Sequence, residues 1–126
     1  MSAKKAKANL LLTERAIHDL AEIERYSIEQ FGRKAARKYL SEIEAALSRL
    51  QESPALLRAE EELHPALRFY RVNKHLLVCD VQQGTIIQLT AIHASRDIPS
   101  RLAEMQPSLA VEVELLHTKL VNRKQR

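Results

Sequence analysis

Two amphipathic helical patterns joined through a single glycine constrain this chain more than any other feature. In the first, Thr13 offers an N-cap, and Glu14 is placed to favour the helix dipole. Ile17, Leu20, Ala21 and Ile23 then recur at mostly three- and four-residue intervals, with Tyr26 and Phe31 beyond. This predicts a helix over residues 14–31, ended by Gly32 just past its C-terminus. In the second pattern, Ala36, Tyr39, Leu40, Ile43, Ala46, Leu47 and Leu50 form one continuous stripe. It predicts a helix over residues 33–52, stopped by Ser53-Pro54. So short a connection makes the pair an antiparallel hairpin. Its two stripes require a common apolar surface.

That surface is legible as strands. Residues 9–13, Asn-Leu-Leu-Leu-Thr, suit a short first strand. Residues 67–72 are rich in aliphatic and aromatic side chains, 76–81 are a nearly continuous apolar run broken only by Asp80, and Gln82-Gln83-Gly84 supplies a turn into the β-branched segment 85–92. The expected fold is α+β: an N-terminal strand, then the antiparallel helical hairpin packed on an antiparallel sheet of three further strands, with a C-terminal helix. Beyond Asp97-Ile98-Pro99 a short helical turn is expected, Asp97 capping it. Pro107-Ser108 should break the chain before a last helix over residues 108–122, whose stripe is Leu109, Val113, Leu116 and Leu120.

With 126 residues the chain fits one domain and needs no metal or disulfide staple. Its one cysteine, Cys79, fits a reducing compartment and reads as a small core residue. No apolar run approaches the roughly 20 residues of a membrane span. The basic start, Met1 to Lys7, is followed by too short an apolar stretch for a signal peptide. A cytoplasmic protein without membrane contact is expected. The net charge of +4 is concentrated in Lys4, Lys5 and Lys7 at one end and Lys119, Arg123, Lys124 and Arg126 at the other. Such ends either hold nucleic acid or solubilise the chain. His18, His64 and His117 lack ligand spacing, and there is no glycine-rich phosphate loop or nucleophile elbow, so neither metal nor cofactor is expected.

The order strand, helix, helix, three strands carries further information together with a set of short segments. These are Leu20-Ala21-Glu22-Ile23-Glu24-Arg25-Tyr26, Phe31-Gly32, Ala35-Ala36-Arg37-Lys38-Tyr39 and Ala46-Leu47-Ser48-Arg49-Leu50. Further on come Ser53-Pro54, Leu67-Arg68, Arg71-Val72, His75-Leu76-Leu77-Val78 and Ile92-His93-Ala94-Ser95-Arg96-Asp97. In this order the chain resembles the RelE/ParE toxin superfamily, and its ParE-like plasmid-stabilisation branch in particular. The resemblance implies the toxin of a type II toxin–antitoxin system, held inactive by a cognate antitoxin that is typically a DNA-binding, ParD-like dimer. ParE-like members are described as inhibitors of DNA gyrase. RelE-like members cleave mRNA on the ribosome without a metal. A relative that has lost toxicity and persists as a binding or regulatory module is a third reading. Fold alone does not choose among them.

Metal-free RNA cleavage needs a base for the 2′-hydroxyl, cations for the phosphate and an acid for the leaving oxygen. By the resemblance, Arg68 takes the first cationic position, His75 stands where the nuclease branch has an arginine, and Arg96 falls near another family arginine. Arg68, His75 and Arg96 are therefore the catalytic set if the chain is a nuclease. The late tyrosine of that branch is missing: residues 98–103 hold none, and Tyr26, Tyr39 and Tyr70 all come earlier. This favours the gyrase-directed reading. Arg68, Arg71, His75, His93 and Arg96 together form a candidate target- or anion-binding patch. The competing view is that the arginines are solvated or paired with Asp80 and Asp97, while the histidines fix loops.

Two features depart from the family pattern. Residues 9–104 are assigned to the toxin domain, and 105–126 to a helical extension with a basic tail. The extension either covers part of the groove where antitoxin binds or makes a homodimer contact. Arg58-Ala59-Glu60-Glu61-Glu62 is expected as an acidic loop that would repel nucleic acid unless it faces away from the basic patch.

Overall fold

The chain's structure, a computed structural model, describes residues 7–124, with the side chains at 106, 108, 109 and 117–124 set aside. Lys4, Lys5 and Arg126 lie outside the described residues, as do the side chains of Leu109, His117, Lys119, Leu120, Arg123 and Lys124. The elements run β1 (Asn9–Leu12), α1 (Glu14–Phe31), α2 (Arg33–Glu52), a 3-10 turn at Pro54–Leu56, β2 (Arg58–Glu60), β3 (His64–Val72), β4 (His75–Gln82), β5 (Thr85–His93) and α3 (Ile98–Lys124).

α1 starts where its cap predicts. The Thr13 hydroxyl accepts from the Ala16 N–H at 3.0 Å and donates to the Leu89 carbonyl at 2.7 Å, so the same oxygen ends a helix and ties it to β5. Gly32, at φ 90°, occupies backbone space that side chains avoid and lets α2 begin at once. The stripe of α2 is buried as expected at Ala36, Ile43, Ala46, Leu47 and Leu50. That of α1 is rotated from expectation. Its inward positions are Ala16, Leu20, Ile23 and Ser27, while Ile17, Tyr26 and Phe31 are each more than half exposed. The Thr13 anchor explains this, because it brings the helix start so close to β5 that small Ala16 must face inward.

The sheet has five strands in the order β1-β5-β4-β3-β2. β1 lies parallel to β5, pairing Leu10 with Ile86 and Leu12 with Gln88, and the other neighbours are antiparallel. One strand was not expected. Arg58–Glu60 pairs with β3 as an edge strand, so part of the acidic segment is sheet. Its charges suit an edge, where they discourage pairing with another chain.

Helices cover both faces of the sheet. On one, Ile23, Ile43, Leu47 and Leu50 of the hairpin pack with Val72, Leu77, Cys79 and Ile86. On the other, Ile98, Leu102 and Met105 of α3 pack with Phe69, Val78, Ile87, Leu89 and Ile92. Each large apolar side chain so enclosed contributes about 1.5–3 kcal/mol. Cys79 is a core residue, and burial pushes its thiol up to about 12, so it is inert.

α3 differs from the two pieces expected. It runs unbroken through Pro107, although an interior proline removes a backbone hydrogen bond and typically costs about 3 kcal/mol. Apolar contacts on both sides of the proline, from Leu102 and Met105 before it and Val113 and Leu116 after it, hold the helix against the sheet. Asp97 caps its start, accepting from the Ser100 N–H at 3.3 Å and the Ser100 hydroxyl at 2.9 Å. Among the described residues no helix is long and apolar enough to cross a membrane.

Candidate functional site

The β3–β4 turn and the exit of β5 gather most of the residues marked by the sequence at one end of the sheet. Asn73, with φ 54°, makes the tight turn that brings β4 back along β3 and pairs Val72 with His75. On its other side His75 pairs with His93, and the Ala94 N–H donates to the Lys74 carbonyl at 2.8 Å. Cross-strand partners share a face, so the two imidazoles meet edge to face with ring centres 5.2 Å apart.

His75 is the most constrained of the set. Its Nδ1 lies 2.6 Å from the Tyr39 hydroxyl, which itself donates to the Val72 carbonyl at 3.1 Å. A tyrosine has one proton, so both contacts are satisfied only when His75 Nδ1–H donates to the Tyr39 oxygen. Nε2 is then the unprotonated nitrogen. Burial, and secondarily the neighbouring His93, hold the His75 pKa down to about 4, against a weaker opposing pull from Asp19. The ring is neutral near pH 7. Burial likewise raises the Tyr39 hydroxyl above the ordinary tyrosine value.

This yields a pH prediction. A histidine whose folded pKa is depressed stabilises the fold fully above about 6.5, and the contribution fades as pH falls toward 4, because the unfolded chain binds the proton first. With the ring half-buried and partly screened, the loss should be on the order of 1–2 kcal/mol. Urea unfolding of the wild-type chain and His75→Asn at pH 7 and 4.5 measures it. The wild-type chain should lose more than the variant on acidification, and equal losses would discard the assignment.

The other four candidates divide. His93 is exposed, and its Nδ1 contacts the Ser95 N–H at 3.1 Å and the Ser95 hydroxyl at 2.7 Å, so this histidine also fixes its loop. Arg71 is exposed and donates from Nε to the Asn73 carbonyl at 2.7 Å, bracing the turn. Arg96 is exposed just past β5, its N–H bonded to the His93 carbonyl at 3.0 Å. Arg68 stands apart: it pairs with Cys79, four residues along β4 from His75, and is partly buried. The structure therefore brings His75 and His93 together, places Arg71 and Arg96 at the same end, and leaves Arg68 farther along the strand.

Tyr39 is the residue that sequence reasoning missed. It was read as part of the α2 stripe and of a family segment, with no site role, yet it holds the ring that defines this corner, and the signal was its polar tip on a stripe otherwise purely aliphatic. Asp19 was missed too: its carboxylate accepts from the Thr90 hydroxyl and, at 3.1 Å, from the Ala91 N–H. No cluster of three metal-ligating side chains occurs among the described residues. Chemically this end offers exposed cations and one neutral, hydrogen-bonded imidazole, an arrangement better suited to docking an anionic surface than to proton transfer at pH 7.

Comparison with known proteins gives the chain's relatives. The family described as ParE toxin of type II toxin-antitoxin system, parDE, matches residues 10–98. Toxin ParE of Escherichia coli is 33% identical over 95 residues, covering 75% of this chain and 92% of that protein. Toxin ParE1 of Mycobacterium tuberculosis (strain H37Rv) is 30% identical over 93 residues, 73% of this chain and 95% of its own length. Among solved structures, the chromosomal ParDE TA system from P. aeruginosa superposes with a TM-score of 0.63 at 18% identity, over 72% of this chain and 100% of that one.

Proposed function

This chain belongs to the ParE toxin family of type II toxin–antitoxin systems, and on that premise we propose that it arrests growth by binding DNA gyrase, without catalysing a reaction. A cognate antitoxin, a DNA-binding dimer of the ParD kind, neutralises it in the cytoplasm. The observation that carries the non-enzymatic reading is the state of His75. Its Nδ1 is committed to Tyr39, its pKa is held to about 4, and Arg68 lies four residues along the strand. A general base works best with a pKa near the operating pH. The exposed cations Arg71 and Arg96, with His93 between the turn and the loop, are the target-binding set, backed by His75 in the sheet, with Arg68 a more distant cation along the strand.

The domain division follows the same reading. Residues 9–104 carry the toxin fold and 105–126 are an added extension, supported by a family match that ends at residue 98. A homodimer through α3 would use its outward side chains Val111 and Leu115, which are more than half exposed.

Inducible expression in a bacterial host, with plasmid supercoiling and mRNA integrity scored in one culture, tests the proposal. Growth should stop with supercoiling lost and mRNA intact, and Arg71→Ala/Arg96→Ala should relieve the arrest at equal protein level. Rapid mRNA cleavage abolished by Arg68→Ala or His75→Ala would replace this reading with the ribosome-dependent nuclease. Undisturbed growth without antitoxin would point instead to a non-toxic relative.

A further inference from the structure

The cations at the β3–β4 end of the sheet are joined by a second group from the helical hairpin. Arg33, Lys34, Arg37 and Lys38 occupy the first turns of α2, and all are exposed. Tyr39 ties those turns to the end of the sheet, its hydroxyl reaching the Val72 carbonyl at 3.1 Å and the His75 ring at 2.6 Å. Arg71 and Lys74 flank the β3–β4 turn, and the Ala94 N–H donates to the Lys74 carbonyl, which brings the loop of Arg96 against it. Arg71, Lys74 and Arg96 are exposed as well. Among the described residues none of these side chains is ion-paired; the pairs are Arg15 with Asp19, Arg25 with Glu22 and Glu29, and Arg101 with Glu104. The carboxylates that the sequence offered as partners are engaged elsewhere. Asp80 accepts from the Gln82 amide at 2.7 Å, and Asp97 from the Ser100 hydroxyl at 2.9 Å. Glu42, one turn beyond Lys38, is exposed and offsets one cation of the group.

We propose that this end of the protein is a nucleic-acid contact surface, on which the cations of α2 and of the two turns hold the phosphate backbone. The acidic run Glu60-Glu61-Glu62 does not oppose it. Glu60 pairs with His64, where β3 starts, whereas the basic turn follows Val72, where β3 stops. β3 is nine residues long, which sets the two roughly 26 Å apart at about 3.3 Å per residue. That is well beyond the Debye length of about 8 Å at physiological salt. Phosphate suits the surface better than an acidic protein does. Duplex DNA carries one charge per about 1.7 Å of its axis, so clustered cations neutralise several phosphates at once and release their counterions. Protein partners are held instead at a core of apolar and aromatic side chains; Phe31 is the large exposed apolar side chain bordering the group, too little for such a core. The fold itself gains nothing from the helical cations. Gly32 supplies no side-chain cap, the first turn of α2 has no acid, and cations there oppose the helix dipole. The surface shares Arg71 and Arg96 with the target-binding set above, but phosphate contact stands whether or not gyrase is the target.

Fluorescence anisotropy of a short labelled DNA duplex of mixed sequence, titrated with the full chain, tests the surface. Binding should weaken about a hundredfold between about 50 and 200 mM salt, as the release of counterions from about four phosphates requires. Reversing the helical cations together, in Arg33→Glu/Lys34→Glu/Arg37→Glu/Lys38→Glu, should weaken it by at least about a hundredfold at the lower salt. Arg71→Ala/Arg96→Ala should weaken it less and flatten the salt dependence by about two phosphates. The helical variant should keep its thermal midpoint or raise it, because acids suit a helix N-terminus, so lost binding is separable from lost folding. No binding by the wild-type chain would overturn the proposal. Unchanged binding by the helical variant would overturn it too, and move the contact to the basic termini. Unlabelled single-stranded DNA that competes supports the surface, since it carries the same phosphates. Polyglutamate of equal charge competing as well as unlabelled duplex would overturn the assignment in favour of an acidic protein surface. Growth is not read in this experiment, so its failure leaves the gyrase reading standing, and a failure of that reading leaves phosphate contact standing.

Discussion

Phe69→Ala is expected to remove about 3–5 kcal/mol of stability, read as a lower urea midpoint at an unchanged slope. Phe69 is 2% exposed in the middle of β3, pairs with Val78 across the sheet, and belongs to the layer sealed by Ile98, Leu102 and Met105. Truncation removes the aromatic surface and leaves a void that rigid β-strands close poorly. Small domains hold only about 5–15 kcal/mol in total, so the variant should be partly unfolded at warm growth temperatures. Phe69→Leu should cost under about 1.5 kcal/mol if its neighbours repack. A loss below about 1 kcal/mol for the alanine would mean that α3 encloses this face less tightly than the burial of Phe69 requires.

The second large effect is assigned to a hydroxyl. Thr13→Val keeps the shape of the side chain and deletes the oxygen that both caps α1 and bonds to Leu89. The cap contributes about 1 kcal/mol, and a buried carbonyl left without its donor costs about 1–3 kcal/mol. The sum is about 2–4 kcal/mol, large for so small a change. Thr13→Ser should restore most of it. If Thr13→Val matched the wild-type midpoint, the link between the helix start and β5 would be structurally idle. Thr13 is 1% exposed, so solvent cannot replace the lost partner.

Both results bear on what was legible beforehand. The helix limits at Glu14–Phe31 and Arg33–Glu52 agree with the pattern because the signals are local: a capping threonine, a glycine, a serine–proline pair and apolar spacing. β3, β4 and β5 were found for the same reason, although β3 begins three residues earlier than expected, at His64. β2 was not found. Arg58–Glu60 has no strand character of its own, and it becomes a strand only because the open edge of β3 offers it partners. The inward face of α1 was misjudged because Ala16 and Ser27 carry little hydrophobic signal, while exposed Ile17 and Tyr26 carry a strong one. Buried polar groups such as Gln88 and Thr90 left no mark in the pattern either.

The candidate site divides along the same line. That Arg71, His75, His93 and Arg96 would fall near strand ends was readable from their positions around turns. The register that sets His75 against His93, and moves Arg68 four residues away, was not, because pairing partners depend on where each turn closes. By itself, then, the sequence determined the kinds and order of the main elements, the family and the absence of a membrane-length apolar run, since periodicity, caps and motif order are all local. Only the tertiary structure decided the neutral, tyrosine-bound state of His75, the edge strand, and an α3 that continues through its proline. Each of those rests on contacts between residues far apart in the chain, and their energies are set by burial and geometry, which no short stretch of residues encodes.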